Sequence, residues 1–195
     1  MRNSNVRKIA VTAMLSAMAA ILMFVDFSVP FMPPFIKLDV SEMPALVASF
    51  AVGPWWGVAV CLVKNLINLM RTSTSGAGEF ANFILGITFV LPAGYIYKYN
   101  KTRVGALIGS LVGAASMGAL SLPINYYITY PIYSRFMPID VIVGMYEKIY
   151  SGVDGLFSCL LIFNVPFTFL KGVLCAAITF VIYKRISKLI KGRNE

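Results

Sequence analysis

Apolar runs of about twenty residues alternate with short polar or proline-rich connections along nearly the whole chain, the pattern of a polypeptide that crosses a bilayer repeatedly. Helices are predicted over roughly Val6–Val25, Trp55–Met70, Glu79–Tyr97, Val104–Tyr130 (with Pro123 inside) and Leu160–Tyr183. A further run, Met43–Val52, is too short to span ~30 Å of hydrocarbon alone. It either starts within the preceding loop or is a shortened helix buried in protein, and Gly53-Pro54 ends it. Val141, Ile142, Met145, Tyr146 and Ile149 share a helical spacing, which predicts a short helix lying on the outer surface. The loop Asp26–Val40 carries Val29-Pro30-Phe31-Met32-Pro33-Pro34-Phe35, too rich in proline to be helical. The expected fold is an all-α membrane protein, residues 1–195 forming one integral membrane domain. Six transmembrane helices are expected, with an outer loop between the first two.

Charge orients this arrangement. Arg2, Arg7 and Lys8, then Lys98, Lys101 and Arg103, then Lys184, Arg185, Lys188, Lys191 and Arg193 cluster on one set of connections, with Glu195 the sole acid among them. Asp26, Asp39, Glu42, Glu79, Asp140, Glu147 and Asp154 lie in or beside the other set, together with Lys37, Arg71, Arg135 and Lys148. Lys/Arg-rich loops stay cytoplasmic, so both termini are expected inside, and this sorting holds only if Met43–Val52 counts as a crossing. The first segment has the basic start and apolar run of a secretory signal, but the chain downstream is equally apolar, so it reads as a retained helix.

Composition narrows the function classes. With 58% hydrophobic and 13% charged residues, the chain is not a soluble domain with one anchor. The net charge of +9 sits in loop clusters beside apolar runs, which argues for membrane orientation and against a nucleic-acid partner. Cys61, Cys159 and Cys175 have no pairing pattern or metal-ligand spacing. The chain has no histidine, which removes Ser-His pairs, H-E-x-x-H zinc sites and histidine relays, and no G-x-x-x-x-G-K-[ST] motif to hold ATP. No enzyme constellation and no resident cofactor are expected.

The polar residues inside apolar helices are therefore the candidates for chemistry. Lys64 and Lys171 each place an ammonium group in a hydrophobic segment, at an insertion cost of about 2.5–3.5 kcal/mol. Each either faces a protein-lined cavity with a partner or snorkels to an interface. Lys64 and Asn68 lie on one helical face, with Asn65 beside Asn68. The loop Thr72-Ser73-Thr74-Ser75-Gly76-Ala77-Gly78 leads into Glu79 and Asn82. It is either part of a site or simply a turn and a helix start with a carboxylate near the macrodipole. Asn125 and Tyr126 follow Pro123, and Thr168 lies three residues before Lys171. Such amides and hydroxyls can tie helices together, but their gathering near the outer ends favours a covered ligand cavity. Small residues recur four apart at Ala13 and Ala17 and at Gly105, Gly109 and Gly113, which suits close helix packing, and the first pair equally suits docking of a partner.

The stretches Lys37-Leu38-Asp39-Val40-Ser41-Glu42-Met43-Pro44-Ala45-Leu46, Lys64-Asn65-Leu66, Gly78-Glu79-Phe80-Ala81-Asn82-Phe83, Leu91-Pro92-Ala93-Gly94, Asn125-Tyr126 and Pro166-Phe167 to Lys171-Gly172 occur in that order. In this the chain resembles the substrate-binding S components of energy-coupling factor (ECF) transporters, and among them the riboflavin-specific, RibU-type members. The resemblance implies six helices, a vitamin site near the outer face, and the first loop as its lid. It also implies docking through Ala13 and Ala17 to a membrane-embedded coupling subunit, with two cytoplasmic ATPases as further partners. The implied substrate-binding residues are Phe35, Leu38, Asp39, Lys64, Asn68, Gly78, Glu79, Asn82, Asn125, Tyr126, Thr168 and Lys171. One departure is Thr168, where many relatives are expected to carry an asparagine; a hydroxyl replaces only part of an amide's hydrogen-bonding capacity, which weakens this position as a ligand contact.

Riboflavin would be bound as transported substrate. Its flat tricycle needs an apolar slot, its dione edge needs donors and acceptors, and its ribityl hydroxyls need several polar partners. Phe35, Leu38 and Tyr126 are expected to cover the ring. The competing expectation is a stand-alone ion-coupled carrier, with Lys64 or Lys171 and Glu79 as a titrating pair.

Overall fold

The computed structural model describes residues 2–72 and 74–190, with side chains over 5–72 and 74–182. Ser73, Lys191, Arg193 and Glu195 lie outside the described residues, as do the side chains of Arg2, Lys184, Arg185 and Lys188. Among the described residues the helices are α1 (Arg2–Phe24), α2 (Glu42–Ala51), α3 (Pro54–Asn68, continued by a 3-10 turn Leu69–Arg71), α4 (Ala77–Tyr99), α5 (Arg103–Tyr133), α6 (Ile139–Glu147) and α7 (156–190). Four of them, α1, α4, α5 and α7, are long and apolar enough to cross a membrane. Each expected helix is present, with ends shifted by a few residues. The longest shift is at the C-terminal end of α7, which runs to Ile190, seven residues beyond the expected end, while α5 and α7 continue three and four residues farther toward α6 than the sequence indicates. The fold is not purely helical, because the first loop is closed by a two-stranded antiparallel pair, β1 (Phe27–Ser28) with β2 (Lys37–Leu38).

Glu42 to Phe50 of α2 are all buried, so this ten-residue helix meets protein on every side, packing against α1, α3, α4 and α7. A helix surrounded by other helices need not match the hydrocarbon thickness, which explains its length. The break between α2 and α3 falls at Gly53, whose φ of +141° suits glycine, followed by Pro54 at the first turn of α3. Thr102 caps α5 by accepting from the Gly105 amide at 3.0 Å.

The glycine stripe on α5 packs on α4. A methyl group added at Gly109 would approach the Ala93 carbonyl oxygen to 2.7 Å, and one at Gly113 would approach that of Phe89 to 2.4 Å. The main core runs through α1, α2, α3, α4, α5 and α7, with Leu46, Val60, Phe89, Val90 and Cys175 at its centre. A second cluster, Tyr130, Ile142, Tyr146, Val153, Cys159 and Leu160, seats α6 on the ends of α5 and α7, as Ile142 and Tyr146 point inward.

The two ends of the bundle differ. At one, Trp55 Nε1 donates to Tyr95 Oη at 3.1 Å, and Lys98 lies over the Tyr95 ring, close in sequence to Lys101 and Arg103. At the other, Arg71 donates to the Phe24 carbonyl at the C-terminus of α1, beside the first loop. The loop's base is tied by Lys37 to Asp26 at 3.0 Å.

Candidate ligand-binding site

The polar faces of α4, α5 and α7 meet under the first loop. On α7, Asn164, Thr168 and Lys171 follow one another at three- and four-residue spacing and are all buried. On α5 the π-helical turn Asn125–Thr129 puts Asn125 and Thr129 on the same cavity wall, and a second π-helical turn, Leu160–Asn164, ends on Asn164. Such turns rotate the side chains beyond them relative to a regular helix, and they are frequent at functional sites. On α4, Gly78, Ala81, Asn82 and Leu85 form the facing wall.

These groups enclose about 140 Å³, with Met117 and Phe167 supplying apolar surface and Phe35, Ile36 and Lys37 covering the space from the loop. A second cavity of about 370 Å³ adjoins it, lined by Pro34, Thr74, Met137 and Ile142 and sharing Phe35, Lys37 and Tyr133 with the first. Phe35 and Tyr133, with ring centroids 6.0 Å apart, stand between the two. Small-molecule sites typically measure ~300–1,000 Å³, so the inner space alone is undersized and the two together fall in range.

Two ion pairs lie behind the inner cavity. Lys171 Nζ is 2.7 Å from Asp39 Oδ2, and Lys64 Nζ is 2.6 Å from Glu42 Oε1, the latter pair with both side chains at 0% exposure. Ser41 links them, donating to Asp39 and accepting from Lys64 at 2.7 Å. The Cys61 thiol donates to Glu42 at 3.6 Å. Burial pushes the Asp39 carboxyl up, but the ammonium groups of Lys171 and Lys64 and the hydrogen bonds from Lys171 and Ser41 outweigh it and hold the carboxyl at about 2. Buried charges at this density persist only when paired and hydrogen-bonded, which this network achieves.

Of the residues singled out from the sequence, Phe35, Gly78, Asn82, Asn125, Thr168 and Lys171 come together on the cavity wall. Asp39 stands one layer back, on Lys171. Glu79 accepts from Asn68 at 3.0 Å, Thr72 at 2.9 Å and Thr74 at 3.1 Å, fastening the loop before α4 rather than facing a lysine. The expected pairing of Glu79 with Lys64 or Lys171 is thus corrected: each lysine has its own carboxylate from the segment 39–42, which the tertiary fold brings closer. Leu38 and Lys64 are not among the residues lining either cavity. Tyr126 turns outward, 37% exposed, with its ring against Tyr127 and Phe157. As the neighbour of the inward-facing Asn125, Tyr126 falls on a different face of the helix. Lys64 and Lys171 are both buried, so neither snorkels to an interface.

Sequence reasoning missed Thr129, Tyr130, Tyr133 and Asn164. Asn164 had a legible signal, being four residues before Thr168 and seven before Lys171, on the same helical face. The tyrosines had none, since an irregular turn sets their direction. Ala13 and Ala17 are exposed on α1, on the side away from Thr12, Ser16 and Ala20. All three cysteines are buried and free.

The sequence pattern of the family described as "ECF transporter, substrate-specific component" matches residues 7–183. The chain belongs to this family. It is similar to the riboflavin transporter RibU of Staphylococcus aureus (strain TCH60), with 34% identity covering 95% of this chain and 93% of that protein. It is also similar to the riboflavin transporter FmnP of Bacillus subtilis (strain 168), with 30% identity covering 97% of each chain. A solved structure described as the S component of a bacterial ECF transporter superposes with a TM-score of 0.75 at 31% identity, over 98% of this chain and 100% of that one. This S component is therefore a multi-pass membrane transport protein, not an enzyme. Its apolar exposed faces, such as Met14, Met18 and Ile21 on α1, are those of a protein solvated by lipid.

Proposed function

We propose that this S component is a riboflavin-binding subunit that captures the vitamin at the outer face of the cell membrane and delivers it together with an ECF energy-coupling module. The observation that carries this reading is the walled pair of cavities. The inner one is rimmed by amides, hydroxyls and the two lysines Lys37 and Lys171, and the outer one is largely apolar and aromatic. A flat heteroaromatic ring with a polar edge and a polyol tail matches that division, and the riboflavin transporters similar to the chain over almost its whole length support the choice of vitamin.

In this reading α1 to α5 and α7 make six crossings, α2 and α3 being the short ones, and α6 lies on the outer surface. The cavities sit at the end away from Lys98, Lys101 and Arg103, so the positive-inside rule supports an outward-facing site and cytoplasmic termini. The loop closed by β1 and β2 is the lid, with Phe35 its inward-pointing residue. Phe35, Gly78, Asn82, Asn125, Thr168 and Lys171 contact the vitamin, and Asp39 supports Lys171. Ala13 and Ala17 dock the coupling subunit, behind which two cytoplasmic ATPases supply the energy. The lysines have complete ion-pair partners, which leaves an ion-coupled carrier without its titrating lysine–Glu79 couple.

Titration of the detergent-purified protein with riboflavin, followed by quenching of flavin fluorescence, tests the reading. Saturable one-to-one quenching, weakened by Lys171→Ala and by Asn125→Ala, is expected. Absence of quenching in the folded protein would overturn it. Ala13→Val with Ala17→Val is expected to leave that titration unchanged and to reduce co-purification with the coupling subunit.

A further inference from the structure

Tyr146 belongs to α6 and is fully buried, without being among the residues that line either cavity. Its hydroxyl nevertheless closes a ring of three hydrogen bonds. Tyr146 Oη donates to Asn164 Oδ1 at 2.8 Å, Asn164 Nδ2 donates to Tyr130 Oη at 3.3 Å, and the two tyrosine oxygens are 2.7 Å apart. With Tyr146 donating to the amide and Tyr130 accepting from it, the remaining proton runs from Tyr130 to Tyr146, so each member donates once and accepts once. Burial raises the Tyr146 phenol far above its ordinary range, so it remains a donor at any working pH.

This ring restricts an amide that faces the cavity. Asn164 is buried and lines the inner space, at the end of the π-helical turn Leu160–Asn164. An asparagine amide has two donor and two acceptor positions, and the ring uses one of each. The other N–H and the other lone pair are left for the cavity side. Without the ring the amide could turn about its last torsion and exchange donor for acceptor, because that torsion is broad.

We propose that Tyr146 is a positioning residue of the vitamin site: it acts through Asn164, whose amide it holds in the one orientation that presents the unused N–H and carbonyl lone pair to the ligand. The proposal rests on the riboflavin reading above and assigns to α6, otherwise a surface helix, a part in recognition. Tyr146 also packs on Phe163 at 5.3 Å and edge-on to Phe35 at 6.2 Å. A test must therefore keep the aromatic ring and remove only the hydroxyl.

The experiment is a double-mutant cycle in detergent, with riboflavin Kd read by fluorescence quenching for the full chain and for Tyr146→Phe, Asn164→Ala and the pair. Loss of one aligned hydrogen bond predicts a Kd about 3- to 10-fold higher for Tyr146→Phe. If Tyr146 acts through Asn164, the double variant binds as weakly as Asn164→Ala alone and no more weakly. Tyr130→Phe breaks the same ring from the other side and is expected to show the same non-additivity, which keeps the test available if Tyr146→Phe does not fold. Unchanged Kd in the two phenylalanine variants, or losses that simply add to that of Asn164→Ala, would overturn the proposal. A full-length parent protein that binds no riboflavin would instead remove the reading on which the proposal stands, an outcome recognised before any variant is made.

Discussion

Lys171 reaches across 132 positions of sequence to place its ammonium 2.7 Å from the carboxylate of Asp39. The pair joins the wall of the inner cavity to the end of the first loop, and both partners are buried. Removing one partner leaves an unpaired buried charge, which typically costs about 3–5 kcal/mol, whereas neutralising both together costs far less. Lys171→Met and Asp39→Asn singly are therefore expected to lower the thermal unfolding temperature in detergent more than the two substitutions combined. A double variant less stable than either single one would contradict this.

The same pair sets an acid limit. The Asp39 carboxyl titrates at about 2 in the fold, against ~3.9 for an ordinary aspartate, so it is stabilised in its charged form. A lowered folded-state value gives stability that is complete above the unfolded value and disappears as pH falls through the folded one. The stability difference between the parent chain and Asp39→Asn is expected to be constant from about pH 7 to pH 5, and to shrink between ~pH 4 and ~pH 2. Thermal unfolding across that range measures it.

Phe35 divides the two cavities and stacks near Tyr133 and Tyr146. Phe35→Ala is expected to raise the riboflavin Kd about tenfold, through lost aromatic contact and a looser cover. Phe35→Tyr, which keeps the ring, should retain most of the affinity. Fluorescence titration of both variants separates the two contributions.

Gly113 allows α5 to lie directly on the α4 backbone. Because the obstacle to a methyl group there is the Phe89 carbonyl oxygen at 2.4 Å and not a movable side chain, Gly113→Ala is expected to force the helices apart at a cost of about 1–3 kcal/mol. Gly144, which has open space around it, is the control position, and Gly144→Ala should be neutral or slightly stabilising in the same unfolding assay.

Much of the architecture was legible because lipid imposes strict rules. Every long apolar run became a helix, and Gly53-Pro54 marked a real break. In the stripe of Gly105, Gly109 and Gly113, the last two proved to be a packing surface on α4 and Gly105 packs on Asn100 in the turn between the helices, one of the two uses that small residues allow. The polar face of α7 was equally readable, since helical periodicity alone puts Thr168 and Lys171 on one side, whereas only the packing of α5 against α7 brings Asn125 to them. Tyr126, grouped with Asn125 by the resemblance, points outward, as adjacent residues on a helix do not share a face. The lysine partners were misassigned because Glu79 is near in the helix order, whereas Asp39 and Glu42 approach only once α2 is packed inside the bundle.

By itself, the sequence determined the helical membrane class, the placement of breaks and the list of polar residues that lipid would not tolerate, because each of these follows from local hydrophobicity and chain geometry. Only the tertiary structure decided which carboxylate neutralises which lysine, that Asn164 and not Tyr126 faces the inner cavity, and that Tyr146 of α6 reaches that amide. Those outcomes depend on how two irregular helical turns and one fully enclosed short helix aim their side chains, a matter of distances between segments far apart in the chain.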